Sequence, residues 1–188
     1  LETVPRQIPY LTPPPDRMTY WANRLKEISG FKVGLCWQGS PHFPYDRIRS
    51  IPFAKFHRLF TVEGVAWISL QQGPGRAQLD ELRPNGPVFE FPESPDEQLP
   101  LMSETAAVMS QLDLVITSDT SVAHLSGGLG IPTWLVLSRY PEWRWLWDRE
   151  SSPWYPSMRI FRQQTHGNWD EVFSVITDEL NMRMNTIK

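Results

Sequence analysis

Short apolar runs alternate with stretches of helical spacing along the whole chain. Lys32–Trp37, Val65–Leu70, Leu112–Thr117 and Trp134–Leu137 are nearly continuous in apolar side chains, the pattern of strands covered on both faces. Val88–Phe91 and Arg159–Arg162 are shorter strands of the same kind. Between them the period changes. Met18, Trp21, Leu25 and Ile28 fall on one helical face, with Asp16 as a cap and Gly30 as a stop. Pro52 opens a helix to about Phe60, as proline does at a first helical position. Ala77–Leu82 is a helical piece inside the Gly- and Pro-containing excursion Gln71–Pro87, Ser103–Gln111 is a helix with a capping-box start, and Trp169 to about Met184 is a closing helix. Strands alternating with helices predict one α/β domain, residues 16–188, with a mostly parallel sheet flanked by helices. Residues 1–15 are Pro-rich and predict an extended lead-in or linker.

The stretch DLVITSDTSVAHLSGGLGIPTWLVLS, Asp113 to Ser138, carries the most chemistry. It predicts strand, polar turn, helix, strand, and in a parallel sheet ligands sit beyond the carboxyl ends of the strands, where helix amides point. Asp119, Thr120 and Ser121 stand at that turn. Local sequence supports simple helix capping about as well as a phosphate site, and both hold if Asp119 braces the turn while Thr120 and Ser121 face a ligand. His124 follows Thr120 by four residues and shares its helix face. Gly127, Gly128 and Gly130 close the helix rather than open it. They therefore fit close packing and not the dinucleotide fingerprint, which opens a helix, so a NAD site is not expected.

Two further loops belong to the same predicted sheet edge. After the first strand come Ser40, Arg47 and Arg49, and a guanidinium suits bidentate phosphate recognition. Arg49 stands immediately before the next helix-opening segment and ranks above Arg47. Gln71 and Gln72 follow the second strand, where their amides suit ribose hydroxyls or a base edge, or merely a polar turn. The loop from Ser138 to Pro156, SRYPEWRWLWDRESSPWYP, sets Arg144 among Trp143, Trp145 and Trp147. It can stack, cap a pocket or meet another domain.

Composition narrows the function classes. Nine Trp and 18 Pro in 188 residues are unusual, and aromatic-rich, stiffened loops often line small-molecule sites. A net charge of −3 gives no general nucleic-acid or anionic-membrane surface, and no apolar run has the length of a membrane span. The single Cys36 lies in an apolar run and predicts a buried structural thiol, with neither disulfide nor cysteine-built metal site. The chain begins at Leu1. That start predicts an excised domain or processed product.

Taken in order, VGLCWQGSP, DRIRSIP, WISLQQG, DLVITSDTSVAHLSGGLGIPTWLVL and WYPSMRIFRQ resemble the carboxyl-terminal, donor-binding half of a GT-B glycosyltransferase. The similarity is to the heptosyltransferase-like group, glycosyltransferase family 9, and within it to bacterial tetratricopeptide-repeat proteins that end in such a domain. It covers roughly Phe31 to Leu180, with Asp-Thr-Ser-x-x-x-His as its most specific part. The resemblance implies a Rossmann-like domain that binds a nucleotide-diphosphate sugar as donor substrate, with no metal and no cofactor. It places Asp119, Thr120, Ser121 and His124 on the diphosphate motif, Arg49 at a basic position near the phosphates, and Gln71 or Gln72 near the ribose. This chain has Ser121 where heptosyltransferases usually carry Gly, and Arg49 where they carry Lys, so the sugar need not be a heptose. Glycosyl transfer with inversion, a cytoplasmic location and a partner amino-terminal GT-B domain are further implications. That domain would supply the general base, leaving this chain to hold the donor and stabilise the leaving group, inactive in isolation. A nucleotide-sugar epimerase-like domain, or a non-catalytic nucleotide-, glycan- or protein-binding module, are the alternatives.

Overall fold

The computed structural model describes residues 3–82, 88–91 and 102–187. Six strands form one sheet: β1 Phe31–Cys36, β2 Val65–Ser69, β3 Val88–Glu90, β4 Leu114–Ser118, β5 Thr133–Leu137 and β6 Met158–Arg162. The order is β3-β2-β1-β4-β5-β6, and every neighbouring pair is parallel. The helices are α1 Pro15–Leu25, α2 Asp46–Arg49, α3 Ala77–Leu82, α4 Ser103–Met109, α5 Ser121–Gly128 and α6 Trp169–Ile187. The chain thus forms a single Rossmann-like α/β domain. Residues 83–87 of the expected Gln71–Pro87 excursion lie outside the described residues.

The strands read as apolar runs because both faces of the sheet are covered. Val33, Leu35, Leu114, Ile116, Trp134 and Val136 point to one side, where α6 and a 3-10 segment, Phe53–Thr61, close the core with Phe56, Phe173, Ile176 and Leu180. Their alternates Cys36, Ile68 and Val115 point to the other side, beneath α1, α4 and α5. Leu135, Leu137 and Ile160 on that second side pack with Ala123, Trp145 and Tyr155. On α6, Trp169, Val172, Phe173, Ile176, Leu180 and Met184 form one buried stripe.

Three local expectations change. The segment after Pro52 is a 3-10 helix rather than an α-helix. Its run of Phe53, Phe56, Leu59 and Phe60 packs from a tighter coil under α6. The expected capping box before α4 is absent: Met102 is at φ 67°, with no side-chain cap. The loop after β1 contains the single-turn helix α2, which has too few residues to show periodicity. The Pro-rich lead-in lies against the domain, where Tyr10 and Leu11 donate their amides to the Gly128 carbonyl at 2.9 and 3.1 Å.

One polar anchor holds α1 to α4. Glu104 is buried, pairs with the Arg17 guanidinium, and accepts a hydrogen bond from Trp21 Nε1 at 2.6 Å. Burial pushes its carboxyl up, but the bonds from Arg17 and Trp21 outweigh this and hold it below its usual range. Such a depressed carboxylate contributes stability above its ordinary pKa and loses it as pH falls through the folded value. Glu104→Ala is expected to lower unfolding free energy by about 1.5–3 kcal/mol at pH 7, the scale of charge-assisted bonds. Urea unfolding at pH 7 and again at acid pH checks this, since the deficit should shrink on acidification.

Candidate functional site

The strand order reverses direction between β1 and β4. At such a switch point the loops leaving the two strands diverge and open a crevice at their carboxyl ends. The loop after β1 brings α2 and Arg49 to this crevice, and the loop after β4 brings Asp119, Thr120, Ser121 and the start of α5.

Arg49 is held by a small relay. Its Nε donates to Asp46 Oδ1 at 3.2 Å, Ser50 Oγ donates to Asp46 Oδ2 at 2.9 Å, and the Gly39 amide donates to Ser50 Oγ at 3.1 Å. The guanidinium carbon lies 4.2 Å from the Phe43 ring centroid. Gly39 leaves room for this pair, because a Cβ there would displace the Asp46 carboxylate and the Arg49 guanidinium from their observed positions. Arg47 on the same helix is exposed, as is Ser40, whose hydroxyl accepts from the His42 amide at 3.4 Å.

At the β4 turn the capping role falls on a different residue from the one expected. Thr120, rather than Asp119, caps α5: its Oγ1 accepts from the Val122 amide at 3.3 Å and lies 3.4 Å from Thr117 Oγ1. Ser121 is exposed at the first turn. Asp119 is nearly buried, and burial raises its carboxyl pKa against the opposing pull of the Trp145 indole N–H, His124 and Arg49. Arg49 and Asp119 are therefore close enough to act on each other, as their placement at one sheet edge predicts. The Trp145 N–H is buried and completes no hydrogen bond among the described residues, yet it stands close enough to Asp119 to favour the carboxylate. Ser118 Oγ, one residue before Asp119, is also buried without a partner among the described residues.

His124 faces a box of aromatic rings. It stacks on Trp145 with centroids 5.0 Å apart and planes 23° off parallel, and its Nδ1 shares a 3.0 Å hydrogen bond with the Tyr155 hydroxyl. Burial holds His124 below its ordinary pKa of 6.5, partly offset by Asp119. Tyr155 is held well above its usual range, by burial and then by Tyr10. Gly127 explains how the box closes: a Cβ there would run into the Tyr155 ring. The closing glycines thus serve packing, with Gly128 making room for Leu11 and Tyr10 in the same way.

The two glutamines separate. Gln71 is buried, and its Oε1 accepts from the Trp37 and Gln38 amides at 3.1 and 2.8 Å while its Nε2 donates to the carbonyls of Gln38 and Gln72 at 3.0 and 2.9 Å. Its amide is spent bracing the loop after β1, which removes it as a ribose contact. Gln72 keeps a buried Oε1 with no partner among the described residues. Tyr155 is the site residue that sequence reasoning did not name, while Trp145 was named only as one of three tryptophans around Arg144; the density of aromatics in residues 138–156 was the available signal. Among the described residues no group of three or more His, Cys, Asp or Glu side chains is gathered as metal ligands.

Cys36 lies under this floor, its Sγ 3.6 Å from Gln71 Oε1 and 3.8 Å from Thr120 Oγ1. Burial pushes the thiol up to about 11. A thiolate is then scarce at neutral pH, and the group is structural. Ellman's reagent at pH 8 is expected to leave the native protein unmodified and to react fully once urea unfolds it.

No protein-family model matches the chain. Protein FlbA of Caulobacter vibrioides is 30% identical over 185 residues, which are 95% of this chain and 30% of FlbA. Among solved structures, E. coli ADP-heptose lps heptosyltransferase II superposes with a TM-score of 0.62 at 14% identity, over 96% of this chain and 55% of that one. E. coli heptosyltransferase WaaC, solved with ADP, gives a TM-score of 0.56 at 14% identity, over 86% of this chain and 48% of that one. The same enzyme with ADP-2-deoxy-2-fluoro heptose gives 0.56 at 14%, over 89% and 47%. The chain spans under a third of the curated relative and about half of each solved chain. What these likenesses show is the architecture: this α/β domain has the fold of the Rossmann-like half of a GT-B heptosyltransferase.

Proposed function

We propose that this domain binds a nucleotide-diphosphate sugar at the β1/β4 crevice and serves as the donor-binding half of a metal-independent glycosyltransferase. The observation that carries it is the meeting, at the topological switch point, of a braced guanidinium with the exposed first turn of α5. Arg49 supplies a fork for phosphate oxygens, and Ser121 with the α5 amides supplies neutral donors and the positive end of a helix dipole. His124 and Asp119 lie beside them, and Gln72 offers an acceptor towards the ribose or base. Such donors stabilise charge that develops on a diphosphate leaving group. We assign no general base to this chain. The acceptor and the deprotonating group belong, in this proposal, to an amino-terminal GT-B domain of a longer polypeptide that also carries tetratricopeptide repeats. That FlbA is much longer than the segment it shares with this chain fits a longer polypeptide; the repeats rest on the sequence resemblance alone.

The pKa directions give the proposal a signature beyond affinity. His124 is held low and Asp119 high. A diphosphate beside them favours the protonated form of each, raising both. Binding should therefore take up protons, and affinity for ADP or UDP should strengthen as pH falls from 8 to 6. Titration calorimetry in two buffers of different ionisation enthalpy measures the uptake directly. Binding without proton uptake would place the ligand away from His124, and no binding of any nucleoside diphosphate would overturn the proposal.

A further inference from the structure

A second cationic cluster lies at the same sheet edge, across Trp145 from His124. Leu137, the last residue of β5, is in register with Arg162, the last residue of β6. Arg139 stands two residues beyond Leu137, so the topology brings two guanidiniums together. Both sit against one indole: their carbons lie 5.5 Å (Arg139) and 5.9 Å (Arg162) from the Trp147 ring centroid.

Neither guanidinium has an ion-pair partner among the described residues, although the Asp148 charge acts on Arg162. Arg162 Nη2 donates to the Leu146 carbonyl at 2.7 Å and the Trp145 carbonyl at 3.4 Å, but its Nη1 is buried and has no partner among the described residues. Arg139 forms no salt bridge among the described residues; those present involve other arginines and Lys55. Burial lowers the Arg162 pKa, Asp148 opposes this, and the charge of Arg139 lowers it further. A buried, unpaired guanidinium N–H next to a second cation costs free energy unless something else satisfies it. Beside it stands an exposed aromatic face. Tyr140, 61% exposed, stacks on Trp147, 49% exposed, with centroids 6.4 Å apart and planes 27° off parallel.

We propose that Arg139 and Arg162 form an oxyanion clamp, separate from Arg49, that takes the carboxylate or phosphate of an acidic sugar whose ring lies on the Tyr140–Trp147 face. The planar fork of a guanidinium matches either oxyanion, and exposed aromatic rings present area for the apolar face of a sugar. The clamp uses β5 and β6 rather than β1 and β4, so it stands whether or not a nucleotide occupies the other crevice.

Thermal shift and calorimetry at constant ionic strength test it, with sodium glucuronate, glucose 6-phosphate and uncharged glucose as probes. Glucuronate or glucose 6-phosphate is expected to raise the melting temperature and glucose to leave it unchanged. Stabilisation by glucuronate identifies a carboxylate as the anion, and stabilisation by glucose 6-phosphate a phosphate; either supports the clamp. Arg139→Gln should weaken that binding about tenfold or more, while Arg49→Gln leaves it intact. Arg162→Gln should do the same as Arg139→Gln if it folds; the half-buried Arg139 side chain keeps the test open if it does not. No stabilisation by either acid, or a loss seen with Arg49→Gln and not with Arg139→Gln, overturns the proposal.

Discussion

Arg49→Ala is expected to weaken nucleoside diphosphate binding by about 1.5–3 kcal/mol, roughly 10- to 150-fold in Kd, the scale of a charge-assisted hydrogen bond. The size of the effect follows from how Arg49 is held. Asp46 takes one of its N–H groups, Ser50 fixes Asp46, and the Gly39 amide fixes Ser50. The guanidinium is therefore positioned before any ligand arrives, and little side-chain entropy remains to be lost on binding. Arg49→Lys keeps the charge but loses the fork and the bond to Asp46, so it should recover only part of the affinity. Calorimetric titration with ADP and UDP measures both variants, and circular dichroism verifies that they fold. Unchanged affinity in a folded Arg49→Ala protein would remove Arg49 from the site.

The sheet was legible in the sequence and the side-chain roles at its edge were not, for physical reasons. Parallel strands covered on both faces need continuous apolar runs. Lys32–Trp37, Leu112–Thr117 and Trp134–Leu137 could therefore be placed within a residue or two of the observed ends of β1, β4 and β5. The edge at which Arg49 and Asp119 meet followed from the same periodicity, since loops that leave parallel strands emerge on one side. Which atoms face a ligand is a different matter. Gln71 and Gln72 are adjacent and chemically identical, yet one is consumed by the amides of the β1 loop and the other is not. That distinction depends on a loop more than 30 residues away in sequence. Thr120 likewise takes the cap expected of Asp119 because its backbone, extended at φ −135° and ψ 175°, puts its hydroxyl on the Val122 amide. Gly127 was read as a packing glycine, but its partner Tyr155 lies beyond the next strand, where no local pattern points.

The largest effect on the domain itself is expected at Trp145. Its ring is fully buried, stacks on His124, lies 6.3 Å from the Tyr155 centroid and sets its N–H beside Asp119. Its carbonyl meanwhile accepts from Arg162. Trp145→Ala should cost about 3–5 kcal/mol of stability, as for other buried aromatics cut to alanine. The two neighbouring titrations should move in a definite sense. Removing the ring admits water, and burial is the largest influence on both groups. His124 should therefore rise towards 6.5 and Asp119 fall towards 3.8, their ordinary values. In the native protein the depressed His124 contributes stability above its ordinary value and loses it as pH falls through the folded value. Trp145→Ala should flatten that part of the stability profile. Trp145→Phe separates the two functions of the indole. It keeps a buried ring over His124 but loses the N–H, so stability should largely survive while the Asp119 carboxyl rises further. Urea unfolding across pH 5–8, with NMR titration of Asp119 and His124, reads all of these. If Trp145→Phe lowers the Asp119 pKa, or if Trp145→Ala leaves stability unchanged, the indole is not the keystone between the two loops.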